Sequence, residues 1–238
     1  MLLKYPDGND YANIELQNLI WTLCYQKHPE LNKIEVDAKL FRFFKKILEY
    51  QYKNTPVFIT NSHVRAYTFV HDIIGMIPHA KANIINVDMH HDMYPHNRSE
   101  KEGCVDCGNW LRILRKQKIV TDITWITREA GKQINIDDDR RFLRPNTITT
   151  DATILLDKHF DGIFICRSNM WLPPHLDHKF HELIRFCKNH FNDVTITEDV
   201  EKPRKLHEAP KIEMPSAAVQ IAADVNTKNL DIDNTISR

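Results

Sequence analysis

The chain has 238 residues, of which 42% are hydrophobic, enough for one ordinary domain with a sizeable core. Its 32 basic residues are matched by 32 acidic ones, which removes the electrostatic case for a nucleic-acid or anionic-membrane partner. No apolar run approaches the roughly 20 residues that span a bilayer. The start, Met1-Leu2-Leu3-Lys4, lacks an export-signal pattern, and five cysteines, an odd number, fit a reducing compartment. The expectation is a soluble, cytoplasmic protein with free thiols.

Taken in chain order, residues 1–54 are mainly helical. Ile14, Leu16, Leu19, Ile20, Leu23 and Cys24 recur at helical spacing, and so do Leu40, Phe43, Phe44, Ile47 and Leu48. Pro56-Val57-Phe58-Ile59-Thr60 is a short buried strand. It leads through Asn61-Ser62-His63 into a helix from Val64 to about Met76, with Ser62 or Asn61 as its N-cap. Pro78 ends that helix, and Ala82–Val87 is the next strand. After a polar loop at 96–103, a helix from about Val105 turns Trp110, Leu111, Leu114 and Ile119 to one side. Ile123–Ile126 is a strand, 131–145 is charged and irregular, and Gly162–Cys166 is another core strand. Pro173-Pro174 opens a helix from about Leu176 to His190, and Val194–Thr197 is an edge strand. Near-continuously apolar strands that alternate with helices imply a mostly parallel sheet covered on both faces, one α/β domain over 1–200. The stretch 201–238 has almost no aromatics and no sustained amphipathic period, and reads as a disordered tail.

The chemistry concentrates where the second of these strands ends, at Asp88-Met89-His90-His91-Asp92. Alternation along an extended chain would turn Asp88, His90 and Asp92 to the same side. Two carboxylates and an imidazole there make a ligand set for Mn²⁺, Zn²⁺ or Fe²⁺, and as unpaired core residues they would be costly. Sites in open parallel sheets form at the carboxyl ends of strands, which adds His63 as a fourth ligand and brings in Cys166, Arg167, Ser168 and Asn169. Arg167 would alternate away from the face shared by Cys166 and Ser168. Cys104-Val105-Asp106-Cys107 is a single CxxC, too few thiols for a Cys₄ zinc site; a tight turn capped by Asp106 is the simpler reading, with Cys107 lining the site. Trp171 with Pro173-Pro174-His175 forms a rigid aromatic wall where a late loop would roof the pocket. Asp137-Asp138-Asp139 lacks the spaced acids and glycine of a calcium loop and reads as a solvated loop.

Asp88-Met89-His90-His91-Asp92 resembles the Asp-Ala-His-x-Asp motif of the arginase-like (ureohydrolase) superfamily. Asn61-Ser62-His63 falls where that family carries its first ligand histidine. The doubled histidine and Asp106-Cys107-Gly108-Asn109-Trp110-Leu111 are more similar to a poorly characterised group within it that includes peptide arginases. The likeness covers roughly residues 55 to 190. It implies a three-layer α/β/α fold and a metal-dependent hydrolase of C–N bonds acting on a guanidinium or peptide substrate. The ion would be Mn²⁺, with Zn²⁺ or Fe²⁺ as alternatives. The ligands implied are His63, Asp88, His90 and Asp92; the catalytic residues are Asp88 and Cys107, and Asn109, Ser168 and Trp171 would line the substrate. The family's late Asp-x-Asp corresponds here to Cys166-Arg167-Ser168. One ion or two, and an active enzyme or a metal-free binding and regulatory module, are both left open by that difference.

Overall fold

A computed structural model describes residues 14–76, 80–94, 104–136, 144–168, 171–197, 200 and 204. Helix α1 spans Ile14–Lys27 and α2 spans Ala38–Glu49, with Asp37 capping α2 by accepting the Lys39 and Leu40 amides at 2.7 and 3.0 Å. Strand β1 (Val57–Thr60) is followed by α3 (Arg65–Gly75), and β2 (Ala82–Val87) by α4 (Trp110–Lys116). Then come β3 (Val120–Ile126), α5 (Glu129–Ile136), β4 (Thr147–Thr149), β5 (Ile163–Cys166), α6 (Asp177–His190) and β6 (Val194–Ile196). The fold is mixed α/β, and among the described residues no helix is long and apolar enough to cross a membrane.

The strands make two three-stranded sheets, ordered β5-β1-β6 and β2-β3-β4, and every pairing is parallel. β6 is an edge strand, as its short polar-flanked sequence predicts. Parallel strands need crossover connections, which is why helices intervene between them. The two apolar faces fill separately. Val57, Ile59, Phe180, Ile184, Cys187 and Val200 pack one sheet against α6. Val64, Tyr67, Trp110, Leu111, Leu114 and Ile123 close the other sheet under α3 and α4.

Several boundaries differ from the expected ones for identifiable reasons. The α3 N-cap is Val64 without a side-chain cap; Ser62 and His63 carbonyls instead take the Arg65 and Ala66 amides at 3.2 and 3.0 Å. α4 begins at Trp110, not Val105, because Asp106 and Asn109 fold the preceding residues into a turn. Part of the stretch 131–145 expected to be irregular is helical, because α5 reaches Ile136, and beyond that stretch Thr147–Thr149 adds a third strand to the second sheet. β4 escapes the hydrophobic pattern because it is short and largely exposed, held only along one edge to β3. The polar loop at 96–103, Asp137-Asp138-Asp139 and Asn169 lie outside the described residues.

The tail begins inside the fold. Arg204 is buried, and its Nε donates to Asp177 Oδ2 at 3.0 Å, while Arg167 Nη1 reaches the same oxygen at 3.4 Å. Position 204, expected to be disordered, is therefore tied to the first turn of α6; other residues of 201–238 lie outside the described ones. The Asp177 carboxylate is the shared counter-charge of two guanidiniums whose side chains have no exposed surface. Removing one member of a buried ionic group leaves the others uncompensated. Asp177→Asn is expected to lower stability by about 3–5 kcal/mol, read as a fall in the urea midpoint. A variant as stable as the wild type would show that the cluster is solvated.

Candidate metal centre

β2 ends at Val87, and the backbone does not stay extended through the acidic motif. Residues 88–92 form a loop in which four of the five carbonyls find a named donor. Trp125 Nε1 donates to Asp88 O at 2.9 Å, Thr127 Oγ1 to Met89 O at 3.3 Å, Asn86 Nδ2 to His90 O at 3.2 Å, and the Leu111 amide to Asp92 O at 3.2 Å. A loop at a sheet edge normally leaves such groups to water; here they are satisfied from β2, β3 and α4. Gly131, in the first turns of α5, lies against this loop. A Cβ there would overlap Thr127 Oγ1 and stand 2.9 Å from Met89 O.

Within the loop, Asp88 Oδ1 accepts the His90 amide at 3.0 Å, a local turn that bends the chain away from the strand direction. Asp92 has φ 54°, a left-handed backbone that costs a non-glycine residue energy and that aspartate tolerates better than most. Its carboxylate is thereby carried inward to 2% exposure. Oδ2 accepts Trp110 Nε1 at 2.9 Å and Asn86 Nδ2 at 3.3 Å. On the other sheet, the turn after β1 brings His63 Nε2 to 3.3 Å from Asp88 Oδ2. His63, Asp88 and Asp92 each offer a ligand atom, and these atoms lie within 4.8 Å of one another, so the three could hold a metal ion.

His90 falls outside this group because the strand alternation that would have aligned it ends at Val87. Its Nδ1 lies 4.0 Å from Asp88 Oδ1, and its ring leans on Trp171, with centroids 5.5 Å apart. Trp171 is half exposed and stands beside His90 at the surface of the site. Ser168 and Cys166 line the same crevice as His63 and Asp88, with Ser168 also left-handed at φ 49°. Cys166 Sγ and Ser168 Oγ are 3.4 Å apart and the Ser168 amide donates to the sulfur at 3.3 Å. Arg167 between them points the opposite way, to Asp177.

Asn109, expected to line a substrate, has no exposed surface. Its Oδ1 accepts the Asp106 amide at 2.8 Å and its Nδ2 donates to Asp106 Oδ2 at 3.2 Å. It shapes the turn and has nothing left for a ligand. Cys107, half-buried in that turn, is not in the ligand group; the turn is fastened to the site through Gly108 O, which accepts the Tyr94 amide at 2.9 Å. Helical periodicity places Trp110 on a core face and says nothing of its N–H. The one available signal is general: a buried indole N–H needs an acceptor, and a carboxylate is the strongest to hand.

The electrostatics suit a cation. Burial, and then the neighbouring Asp88 charge, push the Asp92 carboxyl well above its ordinary range, while the Trp110 and Asn86 donors oppose the shift. Burial also lowers the His63 imidazole against the pull of Asp88, keeping a ring nitrogen free to ligate. Burial pushes the Cys166 thiol up to about 12. The crevice between β2 and β5 encloses about 680 Å³ and is lined by His63, Trp110, Asp88, Phe164, Cys166 and Ser168 among others. That is within the range of about 300–1,000 Å³ typical of small-molecule sites. No protein-family model matches the chain, and comparison with curated proteins and with solved structures gives no match.

A raised carboxyl keeps its proton in the folded protein at a pH where the unfolded chain has lost it. Ion-free protein therefore loses stability as pH climbs from the ordinary carboxyl range toward the raised value. Asp92→Asn removes that loss. In chelator-treated protein the variant's urea midpoint should exceed that of the wild type at pH 7, and the two should converge by about pH 4. Parallel curves across that window would show that Asp92 does not carry the burden.

Proposed function

We propose that this protein is a metal-dependent hydrolase of C–N bonds whose ion is held by His63, Asp88 and Asp92. The observation that carries the reading is the convergence of these three ligand atoms within 4.8 Å, drawn from two different sheets. A second carboxylate beside a buried first one is unfavourable in a purely structural role, since their repulsion has to be offset by a cation or a proton. The reaction class comes from the arginase-like resemblance of Asp88–Asp92, of His63 and of Asp106–Leu111. The same resemblance makes Mn²⁺ the first choice; Zn²⁺ and Fe²⁺ accept the same donors.

When bound, such an ion supplies Lewis acidity and lowers the pKa of the water it holds. The protein does the rest. Trp110 and Asn86 fix the rotation of the Asp92 carboxylate, and the Asp88 turn fixes that of Asp88. His63 closes the group from the opposite wall of the crevice. Trp171 and His90 flank the site, where a planar guanidinium or a peptide side chain would enter. The crevice admits a small molecule or a short peptide, and Cys166 and Ser168 line it beside the ligands.

One observation favours a second reading. At the carboxyl end of β5 the Cys166 thiol and the Ser168 hydroxyl engage each other, and among the described residues there no carboxylate follows. An arginase-fold module that binds a ligand without turnover would look the same on that side. Purified protein loaded with Mn²⁺ should release urea or ammonia from guanidino compounds or from arginine-containing peptides. Asp88→Asn should lose the ion and reduce turnover by at least about 10²-fold, a shift of ~2.7 kcal/mol in barrier. Ion binding without product from either substrate class would move the assignment to the binding module.

A further inference from the structure

We infer that the centre holds one ion per chain and that Trp110 is the positioning residue that sets which Asp92 oxygen faces it. The inference rests on the metal reading above and deepens it. A carboxylate oxygen has two lone-pair sites. Asp92 Oδ2 has two donors, Trp110 Nε1 at 2.9 Å and Asn86 Nδ2 at 3.3 Å, on a residue that is 2% exposed. That oxygen is spent. Asp92 can then offer a cation only its other oxygen, and a carboxylate with one free oxygen does not straddle two ions through both. Asp88 is similarly committed on one side, because its Oδ1 takes the His90 amide at 3.0 Å.

The donor count agrees. Among the described residues the group that could hold a metal contains three side chains, the usual complement of one catalytic ion with an open position. His90 turns toward Trp171, and Cys166 Sγ is occupied by the Ser168 amide and hydroxyl at 3.3 and 3.4 Å, so neither brings a fourth and fifth donor for a neighbour. Charge is the stronger constraint. Two carboxylates neutralise one divalent ion; a second ion a few ångströms away would leave two positive charges in a half-enclosed site, with no carboxylate among the described residues at the carboxyl end of β5. Trp110 decides which oxygen is spent because its indole is rigid within the α4 core, at 4% exposure.

The test uses the full-length chain with MnCl₂ alone. Equilibrium dialysis should saturate at one Mn²⁺ per chain, with the electron paramagnetic resonance spectrum of an isolated ion. Trp110→Phe, which keeps the ring and loses the N–H, should weaken Mn²⁺ about 10–100-fold at an unchanged stoichiometry. Leu114→Ala, a core truncation in the same helix away from Asp92, controls for packing and should leave the affinity within a few-fold of the wild type. Two ions per chain, or an exchange-coupled pair, would overturn the single-ion assignment while leaving the metal reading intact. Wild-type affinity in Trp110→Phe, or an equal loss in Leu114→Ala, would overturn the role of Trp110. No Mn²⁺ bound at millimolar excess would overturn the metal reading itself.

Discussion

The buried Asp92 carboxylate is the constraint around which the site is organised. Burying a carboxylate beside a second one is unfavourable unless donors and a counter-charge meet it. Each neighbouring element answers part of that demand. The left-handed backbone at Asp92 carries the group inward, Trp110 from α4 and Asn86 from β2 donate to one oxygen, and the Leu111 amide at the start of α4 takes the Asp92 carbonyl. The left-handed strain persists because the loop around it is over-determined by hydrogen bonds from three elements. Such a site is pre-shaped, so little ordering would be left for a cation to impose.

The second organising fact is that the three candidate ligand residues follow strands of different sheets. His63 follows β1, whose hydrogen-bonded neighbours are β5 and β6, whereas Asp88 and Asp92 follow β2, which pairs with β3. The strands before His63 and before Asp88 are therefore not sheet neighbours. They meet because the turns that follow β1 and β2 converge on the crevice, with Phe164 of β5 packed against the core under α3 and α4. The 3.3 Å approach of His63 Nε2 to Asp88 Oδ2 is the polar contact that spans it. The arrangement obeys the general rule that sites in parallel α/β folds lie beyond the carboxyl ends of strands.

At the far side of the first sheet a different kind of polar burial does structural work. Arg167 sits between two crevice-lining residues but points away, so the alternation of β5 separates site chemistry from scaffold chemistry one residue apart. The Asp177 carboxylate joins it to Arg204, which ties the start of the C-terminal stretch to α6. Composition alone gives no warning of this, because a single arginine in a polar, aromatic-poor stretch looks like any other solvated charge.

Periodicity and run length were sufficient for β1, β2, β3, β5 and α6, whose apolar residues face a core wherever the rest of the chain lies. They were sufficient for the parallel character of the sheets, since continuous apolar runs need cover on both faces. They also located the acidic motif at the end of β2, whose charged groups would be costly in a core, and the rule that sites form at the carboxyl ends of strands added the histidine after β1. Tertiary structure decided the rest. Whether His90 or His63 joins the two aspartates depends on where β2 stops and how Asp88 turns the chain, and a two-fold alternation cannot foresee its own end. The roles of Trp110, Trp125 and Asn86 depend on donors from three elements reaching one loop, and Asn109 was claimed by its own turn. These outcomes are set by hydrogen bonds between residues distant in sequence, where the identity of a donor is legible and its acceptor is not.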